Sequence, residues 1–251
     1  MLIPIPSQYK PLTVSLKLEA NDDVIMGIWV YQPNRPNTHY FRRKVSMDKG
    51  ELRTIQVPLP VSPNRLVLEI YDKRSSSDAR FKLKDISIEP LNHKRTWASP
   101  ERHRFMEFAI DFAQKAGYLK PGFYPSKDDE FLIQYLPVIE DDFGNELVTP
   151  ARIHRNMPRV QLSQKLISQM SIPVRIAILS HEGCHFFLNT RSEKEADLCG
   201  IRYYLDYGFP KIEAVYAATK VFAMRPDAIG KAHVNRTKDI MQFIDQYKSV
   251  A

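Results

Sequence analysis

The period of the hydrophobic pattern changes near residue 92, and this change divides the chain into two parts of different kinds. Before it, short runs such as 12–18 and 81–88 alternate apolar and polar residues, which is the pattern of half-buried β-strands. After it, apolar residues recur every three or four positions, as in Phe105, Ala109 and Phe112, which is the pattern of amphipathic helices. We therefore expect an α+β protein with a boundary near residue 93.

The first part, residues 1–92, is expected to form an antiparallel β-sandwich. Its strand-like runs are separated by turn signals rich in Asn, Asp, Pro, Gly and Ser, as short sandwich strands are. The runs lie at 12–18, 24–31, 40–47, 52–59, 66–71 and 81–88. The last one, with Ile86-Ser87-Ile88-Glu89-Pro90, resembles the closing strand of jelly-roll binding modules. That resemblance implies a module that docks or positions something.

The second part, residues 93–251, is expected to be mostly helical. Ser99 followed by Pro100 is a helix-start signal, because a capping side chain precedes a proline at the first helical position. Two strands are expected as well, at 131–139 and at 153–162, and Pro158 makes the second an edge strand. The remaining apolar patterns predict helices at 173–188, 192–207, 211–224 and 238–248.

Composition excludes several classes of protein. Of 251 residues, 43% are hydrophobic and 26% charged, which is ordinary for a globular protein. No apolar run is long enough for a membrane span, so no membrane partner is expected. The N-terminus lacks the pattern of a secretory signal, which makes an intracellular location the expectation. The net charge of +7 leaves nucleic-acid binding open, yet only of an unspecific kind, since no recognition motif appears.

The two cysteines, Cys184 and Cys199, are too few for a disulfide framework. Both fall in segments with a helical pattern. Reduced, partly buried thiols are therefore expected.

The residues that carry chemistry are concentrated in His181-Glu182-Gly183-Cys184-His185. Histidines four apart lie on one face of a helix, one turn from each other, so both imidazoles can reach a single ion. Glu182 lies beside that position and not on it, where a base for a bound water must stand. The pentapeptide therefore predicts a metal site with a catalytic glutamate.

A catalytic zinc site needs a third protein ligand and an open fourth position. The next predicted helix offers Glu193 and Asp197, which are four residues apart and share a face. Glu193 could bind the ion while Asp197 accepts a hydrogen bond from a ligating histidine. Glu195 points about 200° around the same helix from Glu193, yet it remains a rival third ligand because the link from the preceding helix is short.

The pair of motifs H-E-x-x-H and E-x-x-A-D resembles the gluzincin metallopeptidases, and is closest to the HtpX-type and CAAX-prenyl-protease families and their soluble minimal relatives. The resemblance covers residues 173–208. It implies a zincin-like domain that binds Zn²⁺ through His181, His185 and Glu193, with Asp197 supporting a histidine and a peptide or protein as substrate. The chain departs from these families in its short link after His185 and in the absence of their membrane helices.

A segment near the C-terminus, Ala232-His233-Val234-Asn235-Arg236, is similar to one that follows the core helices in the same families. The resemblance implies that a basic group there stabilises the oxyanion, and either His233 or Arg236 could do so. A surface position for His233 is the alternative. For His154, on the predicted edge strand, we expect solvent exposure and no ligand role. In zincins such a strand pairs with the substrate backbone.

The layout as a whole, a sandwich followed by a minimal zincin, also resembles accessory proteins of tailed-phage virions, in which a peptidase-like domain is carried in a neck or tail ring. That resemblance implies a second interpretation: a structural component of a homo-oligomeric or particle assembly, located in the virion, with little or no peptidase activity.

Overall fold

A computed structural model describes residues 1–74, 80–91, 99–154, 157–223 and 231–247 of the chain. Contacts between Cα atoms divide the chain into two units, Met1–Asn92 and His93–Ala251. Strands make up about 37% of the described residues, with antiparallel sheets at the N-terminus and helices after them. The expected α+β class is therefore confirmed.

Two antiparallel sheets form the first unit. One has the order β1-β6-β3-β4 and the other the order β5-β2-β7. Alternate side chains of the central strands are buried, for example Val14, Leu16 and Leu18, as expected for strands with one face in a core. The strands are β1 (Leu2–Ile5), β2 (Leu12–Ala20), β3 (Val24–Gln32), β4 (Arg35–Met47), β5 (Leu52–Leu59), β6 (Leu66–Asp72) and β7 (Phe81–Pro90).

β1 was not expected from the sequence. It is only four residues long and contains Pro4, which lowers the strand signal. β1 pairs with β6 at the end of its sheet, Ile3 opposite Leu68. An edge position tolerates a proline, because one side of an edge strand makes no ladder hydrogen bonds.

The second unit combines short sheets with helices. Its larger sheet has the order β12-β13-β9-β8, in which β13 and β9 run parallel, and β10 pairs with β11 separately. The strands are β8 (Gly122–Pro125), β9 (Leu132–Leu136), β10 (Ile139–Glu140), β11 (Glu146–Leu147), β12 (Ala151–His154) and β13 (Arg159–Ser163). The helices are α1 (Pro100–Lys115), α2 (Gln164–Ile167), α3 (Ile172–Phe187), α4 (Glu193–Asp206), α5 (Lys211–Ala223) and α6 (Lys231–Gln246).

α1 begins as the sequence predicts. The Ser99 side chain accepts a hydrogen bond from the backbone N–H of Arg102, and Pro100 is the first helical residue. α1 packs against α3. A Cβ on Gly183 would lie 2.3 Å from the Phe105 ring, so the glycine leaves room for that ring. The packing fixes the position of α3.

Three predictions about elements differ from the structure. The strand expected at 131–139 is divided into β9 and β10, which belong to different sheets. The expected single strand at 153–162 is a hairpin, in which β12 pairs antiparallel with β13 and Ile153 lies opposite Val160. Pro158 lies just before β13. Of these two strands, β12 is at an edge of the sheet and β13 is inside it. The last helix begins at Lys231 instead of 238, because its first two turns are too polar to show a helical period.

In the described part of the chain, none of the helices is long and apolar enough to cross a membrane.

Candidate metal centre

α3 and α4 bring three potential ligands together. The Nε2 atoms of His181 and His185 are 3.1 Å apart. The Glu193 carboxylate lies 3.6 Å from His181 Nε2 and 3.5 Å from His185 Nε2, one oxygen toward each. These three residues could hold a metal ion, since their ligand atoms all lie within 4.8 Å of one another.

The other nitrogen of each imidazole has an acceptor of its own. His181 Nδ1 lies 3.0 Å from Asp197 Oδ1, and His185 Nδ1 lies 3.0 Å from the Thr190 carbonyl oxygen. An N–H on each Nδ1 satisfies these acceptors and leaves the lone pair on Nε2. Both lone pairs then point into the same small space, which is the arrangement that metal-binding histidines adopt.

The link between α3 and α4 makes its reversal without glycine or proline. Asn189 has a positive φ of 46°, a left-handed conformation that asparagine adopts more readily than most residues. The Thr190 N–H then donates to the His185 carbonyl at 3.1 Å. This short turn places the Thr190 carbonyl against His185 and starts α4 with Glu193 facing the histidines.

Glu195, the rival third ligand, faces the link. Its carboxylate accepts a hydrogen bond from the Thr190 hydroxyl, and its backbone N–H donates to Ser192 Oγ at 3.2 Å. Ser192 and Glu195 thus have the spacing of a helix-capping pair. Of the two glutamates, the structure brings Glu193 to the histidines.

Glu182 lines the same cavity as the three potential ligands. Burial raises the pKa of its carboxyl, and the charge of Glu193 adds to that rise; His181, His185 and a hydrogen bond from the Ile153 backbone oppose it. A carboxyl with a raised pKa binds a proton more readily than an exposed carboxyl does.

Arg236 of α6 connects two of the carboxylates. Its guanidinium donates to both oxygens of Asp197, at 2.7 and 2.9 Å, and lies 2.9 Å from Glu193. Burial would raise the pKa of Asp197, but hydrogen bonds from His181 and Arg236 outweigh it and lower that pKa. Burial would lower the pKa of His181, but the Asp197 bond and nearby negative charges raise it. The chain Arg236–Asp197–His181 therefore fixes the orientation of the first histidine.

A cavity of about 490 Å³ surrounds these groups. β12 and the segment before it form one wall, and α3, α4, α5 and α6 form the others. Three carboxylates line the cavity near the histidines, those of Glu182, Glu193 and Asp197, and two arginines, Arg152 and Arg236, line it as well. Arg152 is exposed and donates to Gln161. Among the described arginines that line the cavity, Arg236 is the one that contacts the carboxylates.

The structure brings together most of the residues singled out in the sequence. His181, Glu182, His185, Glu193 and Asp197 line one cavity. His233 belongs to α6, and its side chain lies outside the described part of the chain, so neither its oxyanion role nor its surface position is tested. His154 is exposed, as expected. Arg236 contacts the carboxylates.

Three contacts escaped the sequence analysis: the acceptor role of the Thr190 carbonyl, the Ile153 N–H bond to Glu182 and the pairing of the cysteines. The first two involve backbone groups, which no side-chain motif encodes. The third contradicts the expectation of reduced thiols, because Cys184 and Cys199 form a disulfide. It joins α3 to α4, and the signal in the sequence was one cysteine on each of the two predicted helices that carry potential ligands.

α3 and α4 approach closely at Gly200. A Cβ at this position would lie 2.8 Å from both the backbone N and the Cα of His181. We expect Gly200→Ala to lower the free energy of unfolding by about 1–3 kcal/mol, as overpacking does, even though alanine is favoured over glycine within a helix by about 1 kcal/mol. Urea denaturation followed by circular dichroism measures the difference.

Gly122→Ala is the matched control for Gly200→Ala. A Cβ on Gly122 would meet its nearest neighbour, the Tyr124 ring, at 3.7 Å, which is an ordinary contact. We expect its free energy of unfolding to stay within about 0.5 kcal/mol of the wild type, in the range of neutral surface changes. Equal stability of the two variants would contradict the close approach of the helices.

Comparison of the chain with protein-family models, with curated proteins and with solved structures finds no match.

Proposed function

We propose that this protein is a zinc-dependent metallopeptidase. The observation that carries the proposal is the pair of imidazole Nε2 atoms, 3.1 Å apart, while both Nδ1 atoms face acceptors. Two lone pairs at this distance repel each other unless a cation or a proton lies between them. The Glu193 carboxylate completes the set from a second helix.

The donor set and its spacing fit zinc. Zn–N and Zn–O bonds of about 2.0–2.2 Å in a tetrahedral site place the ligand atoms about 3.3–3.6 Å apart. The distances here are 3.1, 3.5 and 3.6 Å. Two imidazoles and one carboxylate form a set typical of catalytic zinc sites, which keep the fourth position open.

A bound zinc ion would supply a Lewis acid that acidifies a coordinated water and polarises the scissile carbonyl. Glu182 would act as the general base that accepts a proton from the attacking water and returns it to the leaving amine, and its raised pKa favours that role. Asp197 holds His181 in one tautomer, and the Thr190 carbonyl does the same for His185. Arg236, which is paired with Asp197 and Glu193, keeps the carboxylates in place.

The substrate class that we propose is a peptide or protein. β12 lies at the edge of its sheet, and Ala151, Arg152 and Ile153 line the cavity. An extended peptide can pair with an edge strand through its backbone, here through the groups of β12 other than the Ile153 N–H, which already bonds to Glu182. Such pairing would lay the peptide along the cavity wall next to Glu182.

For the first unit we propose that its two antiparallel sheets pack face to face as a sandwich that docks the peptidase to a partner. Both sheets bury alternate side chains, for example Leu16 of β2 and Ile28 of β3, and two such buried faces are the basis of a sandwich core.

The test of the proposed function is to measure metal content and hydrolysis on the same sample. Purified protein is analysed by mass spectrometry of its metals and then assayed with an unfolded, fluorophore-labelled protein. We expect stoichiometric zinc, hydrolysis that a chelator abolishes, and recovery when zinc is added back. Absence of zinc after purification in zinc-containing buffer would sink the proposal, and so would hydrolysis that is indifferent to the chelator.

A further inference from the structure

The Cys184–Cys199 disulfide joins the two helices that supply the proposed ligands. Cys184 lies on α3 between His181 and His185, and Cys199 lies on α4, two residues after Asp197. The two cysteines are 15 positions apart in the sequence, and the segment between them contains both the link and Glu193. It is therefore a covalent restraint on the distance between the histidine pair and the third ligand.

Glu193 depends most on that restraint. It is the first residue of α4 and its side chain is 52% exposed, whereas the His185 side chain is only 9% exposed. Few neighbours therefore hold the Glu193 carboxylate, and its place follows the position of α4 relative to α3. The ion pair with Arg236, at 2.9 Å, adds a second restraint from α6.

We propose that Cys184 and Cys199 are positioning residues for the metal centre, and that reduction of their disulfide weakens zinc binding. Two nonbonded sulfur atoms lie roughly 1.5 Å farther apart than two bonded ones. Zinc ligands need to be placed within about 0.2 Å. A relaxation of α4 of even part of that size takes Glu193 out of bonding range of an ion held by His181 and His185. This inference rests on the proposed zinc site.

The two cysteines of the disulfide differ in burial. Cys184 is fully buried, while Cys199 is half-buried, so a dithiol reductant attacks the Cys199 sulfur. The S–S bond breaks, Cys184 leaves as a thiolate and takes up a proton, and a mixed disulfide forms on Cys199. The second thiol of the reductant then displaces Cys199. Two electrons pass to the protein, and the reductant becomes a disulfide.

The test compares zinc affinity in the two redox states. Wild-type protein is reduced with a phosphine, which is removed anaerobically before zinc is titrated against a chromogenic chelator. We expect the dissociation constant to rise by about tenfold or more on reduction, in the range that loss of a supporting contact costs. The Cys184→Ala/Cys199→Ala variant is expected to match the reduced wild type, and reductant should not change it further.

A second arm separates positioning of Glu193 from a general structural role. In a Glu193→Ala background the third ligand is missing, so its placement no longer matters. We expect reduction to change the zinc dissociation constant there by about threefold at most, because the two changes act through one contact and are not additive. A disulfide that merely stabilised the fold would weaken binding equally in both backgrounds.

The outcomes are distinct. Equal zinc affinity in oxidised and reduced wild type overturns this inference and leaves the proposed peptidase intact. Loss of the helical circular-dichroism signal on reduction also overturns it, because the bond would then be a requirement of the fold. Failure of the oxidised wild type to bind zinc at all is a failure of the proposed function itself.

Discussion

Glu182→Gln is expected to lower the rate of peptide hydrolysis by about 10²- to 10⁴-fold, which is the contribution of general acid–base catalysis. Gln has nearly the shape of Glu but cannot accept and return a proton. Glu182 lies in the cavity without being one of the three clustered ligands, so zinc stoichiometry should stay unchanged. Initial rates with the labelled substrate, measured beside the zinc content of the same sample, check both parts.

The control for Glu182→Gln is Glu107→Gln. Glu107 is an exposed residue of α1 that does not line the cavity, and its replacement is expected to leave both rate and zinc content as they are. A Glu182→Gln variant that keeps zinc and also the wild-type rate would remove Glu182 from the mechanism. Loss of zinc together with the rate would instead make it a ligand.

The elements that could be predicted from sequence are those with local causes. β5 has the predicted bounds, because apolar residues recur at every second position in Ile55, Val57 and Leu59, all of which are buried, and turn-forming residues flank the strand. α1 and α4 begin after Ser99 and Ser192, whose side chains cap the first turn. The spacing of His181 and His185 is equally local, since backbone hydrogen bonds of the helix fix it.

The rest of the fold depends on contacts between distant segments. The residues at 153–162 carry no local signal that β12 pairs antiparallel with β13 or that β13 pairs in parallel with β9. The partner of Asp197 on α6 is 39 residues away. The disulfide likewise needs the antiparallel packing of α3 on α4, which the two cysteines alone do not specify.

The choice between Glu193 and Glu195 shows the same limit at the scale of the site. Both fall in the first turn of α4, and the sequence leaves either free to act. We attribute the difference to the turn at Asn189, whose positive φ sets the rotation of α4 about its own axis where the helix begins. That rotation directs Glu193 to the two histidines and Glu195 to the Thr190 hydroxyl.

Glu193→Gln is accordingly expected to weaken zinc binding by more than the roughly 10- to 100-fold that loss of an outer hydrogen-bond partner costs. It removes a ligand and also a negative charge that faces Arg236 at 2.9 Å. Glu195→Gln is the matched control, since its amide oxygen can still accept the hydrogen bond from Thr190. We expect its zinc dissociation constant to stay within about threefold of the wild type, as for changes that do not share a contact with the site.

Competition titration against a chelator, with folding checked by circular dichroism, measures both variants. The reverse result, strong weakening by Glu195→Gln and little by Glu193→Gln, would transfer the third-ligand role to Glu195 and require α4 to start with a different rotation. Equal weakening by both would mean that the first turn of α4 binds the ion as a unit. Only loss confined to Glu193 agrees with a carboxylate lying between two imidazoles that are already oriented by Asp197 and the Thr190 carbonyl.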